Sequence, residues 1–140
     1  MIKKGIAWVL GCFVMTSLNA AQVSVFVSFS MPERLLQETL KESARLSIPA
    51  YLNGLYHDSM PETALKVMAL SEHIPNLNLQ IDPIAFERFG IHQVPALVVS
   101  NTQAFDVIYG HLPLKEGLSR MAGRGDSGFS ALDARQVSGE

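Results

Sequence analysis

The stretch IDPIAFERFGIHQVPALVV, residues 81–99, contains a helix start, a helix end and a strand start. Asp82 can accept a hydrogen bond from a free amide of a first helical turn, and Pro83 fits that turn because its missing N–H is not needed there. Gly90 is typical of a helix end. The residues that follow Pro95 are apolar and β-branched, so we predict a short helix, a loop and a strand.

Two strand patterns lie beyond this loop, PALVVS at 95–100 and FDVIYG at 105–110. They are joined by a loop of hairpin length. Leu114, Leu118 and Met121 then follow at helical spacing. The second half of the chain therefore predicts a hairpin and a closing helix.

The first half repeats one local arrangement. VSVFVSF at 23–29 and IPAYLNGL at 48–55 indicate strands, and each is followed by the tetrapeptide SMPE, at 30–33 and again at 59–62. In Ser-x-x-Glu, the serine and the glutamate can cap a helix start reciprocally, and proline fits the first turn. We therefore expect both copies of SMPE to begin helices, as a shared form of local structure and not as a true repeat.

Apolar spacing identifies the expected buried faces of these two helices. In the first helix, Leu36, Leu40 and Ala44 recur every four residues, with Leu35 and Thr39 beside them. In the second helix, the residues at helical spacing are Ala64, Leu65, Met68, Ala69 and Glu72. The whole order predicts an α/β fold with a mixed, mostly parallel sheet, helices on both faces, and a C-terminal hairpin plus helix.

Residues 1–20 have the order of a cleaved secretory signal peptide. Lys3 and Lys4 precede an apolar run, and small and polar residues lead up to Ala20. The alternatives are an uncleaved anchor and a lipoprotein modified at Cys12. We expect secretion, and no later stretch is long enough to span a membrane.

Cleavage would leave one domain at residues 21–122 and a tail at 123–140. The tail is rich in Gly and Ser and has no apolar period, so we predict that it is disordered. Its Arg124-Gly125-Asp126 triplet is similar to a cell-adhesion tripeptide, which commonly arises by chance.

Composition excludes several functions. The chain has 11 basic and 13 acidic residues, and loss of Lys3 and Lys4 with the signal peptide would leave a net charge near −4. This balance argues against a nucleic-acid partner. The single cysteine, Cys12, lies in the signal peptide, so a cleaved chain could not carry out thiol chemistry. The four histidines show no metal-ligand spacing, and we expect no metal or other cofactor.

The order of elements resembles thioredoxin-fold proteins, and a narrower resemblance is carried by IDPIAFERFGIHQVPALVV together with FVSFSMPERLL, NGLYHDSMPETA and DVIYGHLPLKEGL. These segments are similar to the TrbC family of F-type conjugative pilus-assembly proteins, over about Val23 to Ala122. The resemblance implies a periplasmic, non-catalytic assembly factor of a type IV secretion system that acts with a TraW-like component. The family commonly has arginine where this chain has Asn53, and its members often have an extra N-terminal region.

The thioredoxin resemblance also implies a site. It makes Val94–Pro95 a cis peptide candidate and places the preceding residue's backbone groups where an extended peptide can add like a strand. We expect a partner-binding groove whose members are Ser30, Met31, Pro32, Gln93, Val94 and Pro95. The alternative is that this loop only packs and that the partner binds elsewhere.

Other functions stay open at this point. A relative of disulfide isomerases without cysteines could act as a general periplasmic chaperone. Ser30 and His92 could form the nucleophile and base of a hydrolase, although no third group is evident to orient the imidazole. Met31, Tyr51 and Leu55, together with the neighbouring Tyr56, could form either an exposed partner patch or part of the core.

Overall fold

The computed structural model of the protein describes residues 21–140 and has a five-stranded sheet at its centre. The strand order is β3-β2-β1-β4-β5. The strands are β1 (Gln22–Val27), β2 (Ala50–Leu52), β3 (Leu79–Ile81), β4 (Ala96–Ser100) and β5 (Phe105–Tyr109). The helices are α1 (Glu33–Arg45), α2 (Met60–His73), α3 (Pro83–Arg88), α4 (Leu114–Met121) and α5 (Ala131–Ser138), and a 3₁₀ turn covers Tyr56–Asp58.

The sheet is mixed, and the prediction that it is mostly parallel is wrong. β1 pairs with β2 and β2 with β3 in parallel, but β4 is antiparallel to both β1 and β5. In the β1–β4 register Phe26 faces Ala96 and Gln22 faces Ser100. β4 thus starts at the end of the sheet where β1 stops, and the hairpin joins the central strand directly.

Helices cover both faces of the sheet, as predicted. On one face, Val25 and Val27 belong to a buried cluster with Leu40 of α1 and Leu118 of α4. On the other face, Phe26 packs against Phe86 of α3, with ring centroids 4.9 Å apart. Alternate residues of β1 therefore enter two separate apolar layers, which explains why this strand is apolar throughout its second half.

The stripes predicted for α1 and α4 are buried. Leu36, Thr39, Leu40 and Ala44 are buried in α1, and Leu114, Leu118 and Met121 in α4. A carboxylate joins these two helices, because Glu42 of α1 accepts hydrogen bonds from the Leu114 and Lys115 amides at 2.9 and 3.0 Å. α4 has no side-chain cap of its own, so Glu42 supplies the negative charge that its N-terminus favours.

The prediction of which face of α2 is buried is wrong. Ala64, Leu65, Met68, Ala69 and Glu72 are all exposed. The helix is instead turned so that Thr63 is buried, with Val67 and Leu70 half-buried and Ile74 buried just beyond its end. Because α2 has apolar residues on several sides, the sequence pattern did not identify the side that docks.

The two copies of SMPE begin their helices differently. Ser59 is the N-cap of α2 and accepts a hydrogen bond from the Glu62 amide at 3.2 Å. The capping box predicted at Ser30–Glu33 does not form, because α1 begins after Pro32 and Pro32 has no side-chain cap to offer. Asp82 caps α3 as predicted, through the Ala85 amide at 3.0 Å.

The tail at residues 123–140 was predicted to be disordered, but it contains helix α5. Ser130 and Asp133 form a complete capping box at the start of α5, and Phe129 and Ala134 are buried in the core cluster of α1 and α4. A few apolar contacts and a good cap are enough to fix the helix, although the segment has no sustained apolar period.

The half-buried carboxylate of Asp106, in β5, holds the loop before α5. Asp106 accepts hydrogen bonds from the Asp126 and Ser127 amides at 2.9 and 3.0 Å. Burial alone would raise the pKa of Asp106, but the hydrogen bonds from Ser127 and Asp126 outweigh it and lower the pKa. A side chain at Gly125 would collide with this carboxylate, so the adhesion-like triplet lies against the hairpin.

The signal-peptide prediction concerns residues 1–20, which lie outside the described residues. From residue 21 onward, no helix is long and apolar enough to cross a membrane.

Candidate functional site at the carboxyl ends of the parallel strands

The predicted site residues lie at one end of the sheet. β1 ends at Val27 and β4 begins at Ala96, and Phe26 faces Ala96 in the antiparallel register. The residues that extend this pairing are Ser28 on one side and Val94 on the other. The turn before α1 and the loop before β4 are therefore neighbours, as the resemblance implied.

The turn before α1 is held by its own polar groups. The Met31 amide donates to the Ser28 carbonyl at 3.1 Å, and the Ser30 amide donates to the Ser28 hydroxyl oxygen at 3.1 Å. The two serine hydroxyls are 2.8 Å apart. Ser30 is exposed and bonds to Ser28 instead of capping α1, so its hydroxyl forms part of a polar turn surface.

A cavity of about 340 Å³ opens beside this turn at the carboxyl ends of β1 and β2. Its walls combine hydroxyl groups, backbone and aromatic rings. The lining residues are Ser28, Phe29, Ser30, Leu52, Asn53, Gly54, Leu55, Tyr56 and His57. This mixture suits an apolar or aromatic side chain that enters with its backbone near polar groups.

Aromatic rings form the outer wall of the cavity. The Tyr56 ring is stacked on His57 with centroids 3.8 Å apart, and it meets Phe29 edge-on at 5.7 Å. The Lys66 ammonium group lies over the Tyr56 ring, 4.2 Å from its centroid. These contacts hold the wall in place from three different segments of the chain.

The same wall contains strained backbone. His57 and Asp58 both have φ of 51°, in the left-handed region that side chains rarely adopt. Such conformations cost about 1–3 kcal/mol each and are common at binding sites. Thr63 supports the strained turn, since its hydroxyl accepts from the Tyr56 amide at 2.8 Å and donates to the Ser59 carbonyl at 2.6 Å.

The loop before β4 presents free backbone. The Val94–Pro95 peptide bond is cis. The Val94 N–H and C=O make no hydrogen bond to any other described residue, and its side chain is half-buried between the two apolar layers. Gln93 is exposed and Pro95 is buried. Two unpaired backbone groups at a sheet end are suited to pair with an extended segment.

The six predicted groove residues therefore differ in their surroundings. Ser30, Pro32 and Gln93 are exposed, and Val94 is half-buried. Met31 and Pro95 are buried, so a partner could not contact their side chains directly. The strand pairing brings the two segments to the same end of the sheet.

The apolar patch considered from the sequence is divided. Met31 is a core residue, and Tyr51 packs against Phe26 with ring centroids 5.5 Å apart. Leu55 and Tyr56 line the cavity. Sequence reasoning did not single out Phe29, His57 or Lys66 for this wall, because they come from different segments and no spacing rule connects them.

Ser30 and His92, the pair considered for hydrolysis, hydrogen bond to different partners. His92 Nδ1 lies 3.0 Å from the Gly90 carbonyl, and its ring lies against Tyr109, whereas Ser30 bonds to Ser28. Among residues 21–140, no group of three or more His, Cys, Asp or Glu side chains could hold a metal ion.

Comparison with known proteins identifies the family. The model of the family described as type-F conjugative transfer system pilin assembly protein matches residues 25–126. The periplasmic protein TrbC of Escherichia coli (strain K12) is 41% identical over 101 residues, which make up 72% of this chain and 48% of that protein. The chain therefore spans about half the length of this curated relative.

A solved structure supports the fold. MTB DsbF, determined in its mixed oxidized and reduced forms, matches with a TM-score of 0.54 and 19% sequence identity, over 74% of this chain and 79% of that chain. A likeness at this identity concerns the fold alone, which is thioredoxin-like. The family match over residues 25–126 and the identity to the Escherichia coli protein show that the chain belongs to the TrbC family of type-F conjugative transfer pilin assembly proteins.

Proposed function

We propose that this protein is a non-catalytic assembly factor of the conjugative pilus, which works in the periplasm by contact with other conjugation proteins, including a TraW-like component. Its family supports the assembly role, and its curated relative is named a periplasmic protein. The mode of action is inferred from the surface at the carboxyl ends of β1 and β2.

The observation that carries the proposal is the free backbone of Val94 at the same end of the sheet as the cavity. An extended partner segment could pair with the Val94 N–H and C=O and continue across the turn at Ser28–Ser30. One of its side chains would then enter the cavity between Leu55 and Tyr56. Backbone pairing would supply affinity, and the cavity would select an apolar or aromatic side chain.

The chemistry of the site supports contact over catalysis. Residues 21–140 contain no cysteine, and the polar side chains of the turn before α1 are the hydroxyls of Ser28 and Ser30. Each of these hydroxyls already bonds within the turn. The polar groups of the turn are therefore organised for recognition.

The role is tested by genetic complementation. Donor cells deleted for this gene should lose pili and mating, and the wild-type gene should restore both. Leu55→Arg, which would place a charge at the mouth of the cavity, should fail to restore them, whereas Leu132→Arg, an equally drastic change on exposed α5, should succeed.

Purified Leu55→Arg must unfold at a temperature similar to wild type for this result to count. Deletion cells that still make pili and mate normally would contradict the assembly role. Full complementation by a stable Leu55→Arg would contradict the site but not the role.

A chaperone role has one supporting observation. Three large apolar side chains of α2, Met60, Leu65 and Met68, are between 58% and 66% exposed. Such surface could bind unfolded chains without selectivity. Suppression of the aggregation of an unrelated unfolded protein, lost on changing these residues to Ser, would favour this function over specific assembly.

A further inference from the structure

Among residues 21–140, no strand pairs with the outer edge of β5. The hydrogen bonds Gly110 N to Pro95 O and Asn101 N to Ala104 O fix which residues of the hairpin pair with β4. In an antiparallel ladder this pattern repeats every second residue, so Asp106 and Ile108 direct their backbone groups at β4. The remaining residues, Phe105, Val107 and Tyr109, direct theirs outward, where no described hydrogen bond meets them.

Apolar side chains accompany this free edge. Phe105 and Tyr109 are 43% and 37% exposed, and Val107 lies between them on the same face. The Phe105 ring meets Phe89 at 5.0 Å, so its position is defined although half of its surface is open. A free ladder edge with an ordered aromatic strip is a surface on which another strand can add.

The usual protection of an edge strand is missing here. β5 contains no lysine or proline. Its one charged side chain, Asp106, accepts hydrogen bonds from the Asp126 and Ser127 amides of the same chain. The opposite edge strand, β3, is only three residues long and stops next to the helix start at Asp82. The two edges of the sheet are therefore unequal, and β5 is the one suited to pairing.

We propose that β5 pairs antiparallel with β5 of a second copy of this chain, about a two-fold axis at Val107. The occupant follows from the self-complementary order of the strand. About that axis Val107 meets itself, and Phe105 meets Tyr109 of the second copy, which forms two aromatic cross-strand pairs. The two sheets would join into one continuous sheet of ten strands, in an isologous dimer.

The same register avoids electrostatic conflict. On the other face, Asp106 would lie opposite Ile108 of the second copy, so the two Asp106 carboxylates do not face each other. Like charges directly opposite in a sheet are unfavourable, which makes this register better than the one centred on Asp106. The proposal depends on β5 alone and not on the partner groove.

A charge-pairing experiment tests both the interface and its register. Sedimentation equilibrium of the mature chain should show a reversible dimer. In Phe105→Glu/Tyr109→Glu, two pairs of like charges would face each other, and the dissociation constant should rise about tenfold or more. In Phe105→Lys/Tyr109→Glu, each lysine would face a glutamate, and most of the dimer should return.

The matched control is Leu132→Glu on exposed α5, which should dimerise like wild type. Each variant is first checked for native circular dichroism, and hydrogen exchange of the wild type gives a second readout. The Phe105, Val107 and Tyr109 amides should become protected as concentration rises, while the Ile108 amide stays protected throughout. A wild type that remains monomeric, a Glu/Glu variant that dimerises normally, or edge amides that exchange equally at all concentrations would overturn the proposal.

Discussion

Helices α1 and α2 both follow the tetrapeptide SMPE, and they bury very different amounts of their surface. α1 buries Leu36, Thr39, Leu40, Ser43 and Ala44, whereas α2 buries only Thr63 among its own residues. α1 lies on the central strand β1, while α2 leads to the edge strand β3 and contacts mainly the strained turn before it. The same tetrapeptide therefore precedes a core element in one place and a surface element in the other.

The difference teaches that a capping motif gives the approximate position of a helix but not its role. In the first copy, the Ser30 hydroxyl bonds to Ser28 within the turn before the helix, and the helix starts after Pro32. In the second copy the chain arrives from a left-handed turn, and Ser59 is free to cap. The preceding backbone decides which use is made of identical residues.

The largest expected contrast is between apolar truncations. Leu40→Ala should lower the free energy of unfolding by about 2–5 kcal/mol, because Leu40 is fully buried between α1 and the sheet. Leu65→Ala, the same change at a position 66% exposed on α2, should stay within about 0.5 kcal/mol of wild type. Urea unfolding measures both, and equal losses would contradict the difference in docking.

A smaller contrast concerns the two buried threonines. Thr63→Val removes the acceptor of the Tyr56 amide and should cost about 1–3 kcal/mol. Thr39→Val is the matched control in α1, where the hydroxyl makes no described hydrogen bond, and it should change stability by less than about 0.5 kcal/mol. If Thr63→Val is as mild as Thr39→Val, the strained turn does not depend on this hydroxyl.

The two serines of the tetrapeptides give the next contrast. Ser59→Ala should cost about 1 kcal/mol, since it removes an N-cap acceptor from α2. Ser30→Ala should cost less than about 0.5 kcal/mol, because the exposed hydroxyl bonds only within its own turn. Thermal and urea unfolding of the two variants make the comparison, and a reversed order would show that Ser30 does cap α1.

The smallest effect belongs to an exposed ion pair on α1. The hydrogen bond and charge of Arg34, 2.8 Å away, lower the pKa of Glu38 from its usual value of 4.5. A carboxylate with a lowered folded pKa stabilises the protein above its usual pKa, and this contribution is lost as pH falls through the lowered value. Glu38→Gln should therefore differ slightly from wild type in melting temperature at neutral pH and not in strong acid. A difference that grows on acidification would contradict this sign.

Much of the element order was predictable because it depends on local patterns. The strand before each SMPE, the cap at Asp82, the hairpin and the stripes of α1 and α4 all follow from neighbouring residues. The direction of β4 was not predictable in this way, since it depends on which strand the hairpin joins. The docking side of α2 was ambiguous because Leu65 and Met68 lie on another side of the helix than the half-buried Leu70.

The site was predictable only in part. The Val94–Pro95 loop came from family resemblance, whereas the cavity arises when parallel strands bring Phe29 and Tyr56 together from separate segments. No spacing rule connects those residues. The order of the tail also rests on distant contacts, with Asp106 holding the loop before α5, although Ser130 and Asp133 gave a local signal of a helix start.

The most direct test of the central claim is photo-crosslinking in donor cells during pilus assembly. A photoreactive residue replaces Gln93, at the proposed groove, or Leu132, on exposed α5. Contact at the carboxyl ends of β1 and β2 predicts a discrete cross-link to a conjugation protein from position 93 and none from position 132, with loss of the cross-link in Leu55→Arg. Cross-links from position 132 alone, or from neither position in cells that form pili, would contradict the claim.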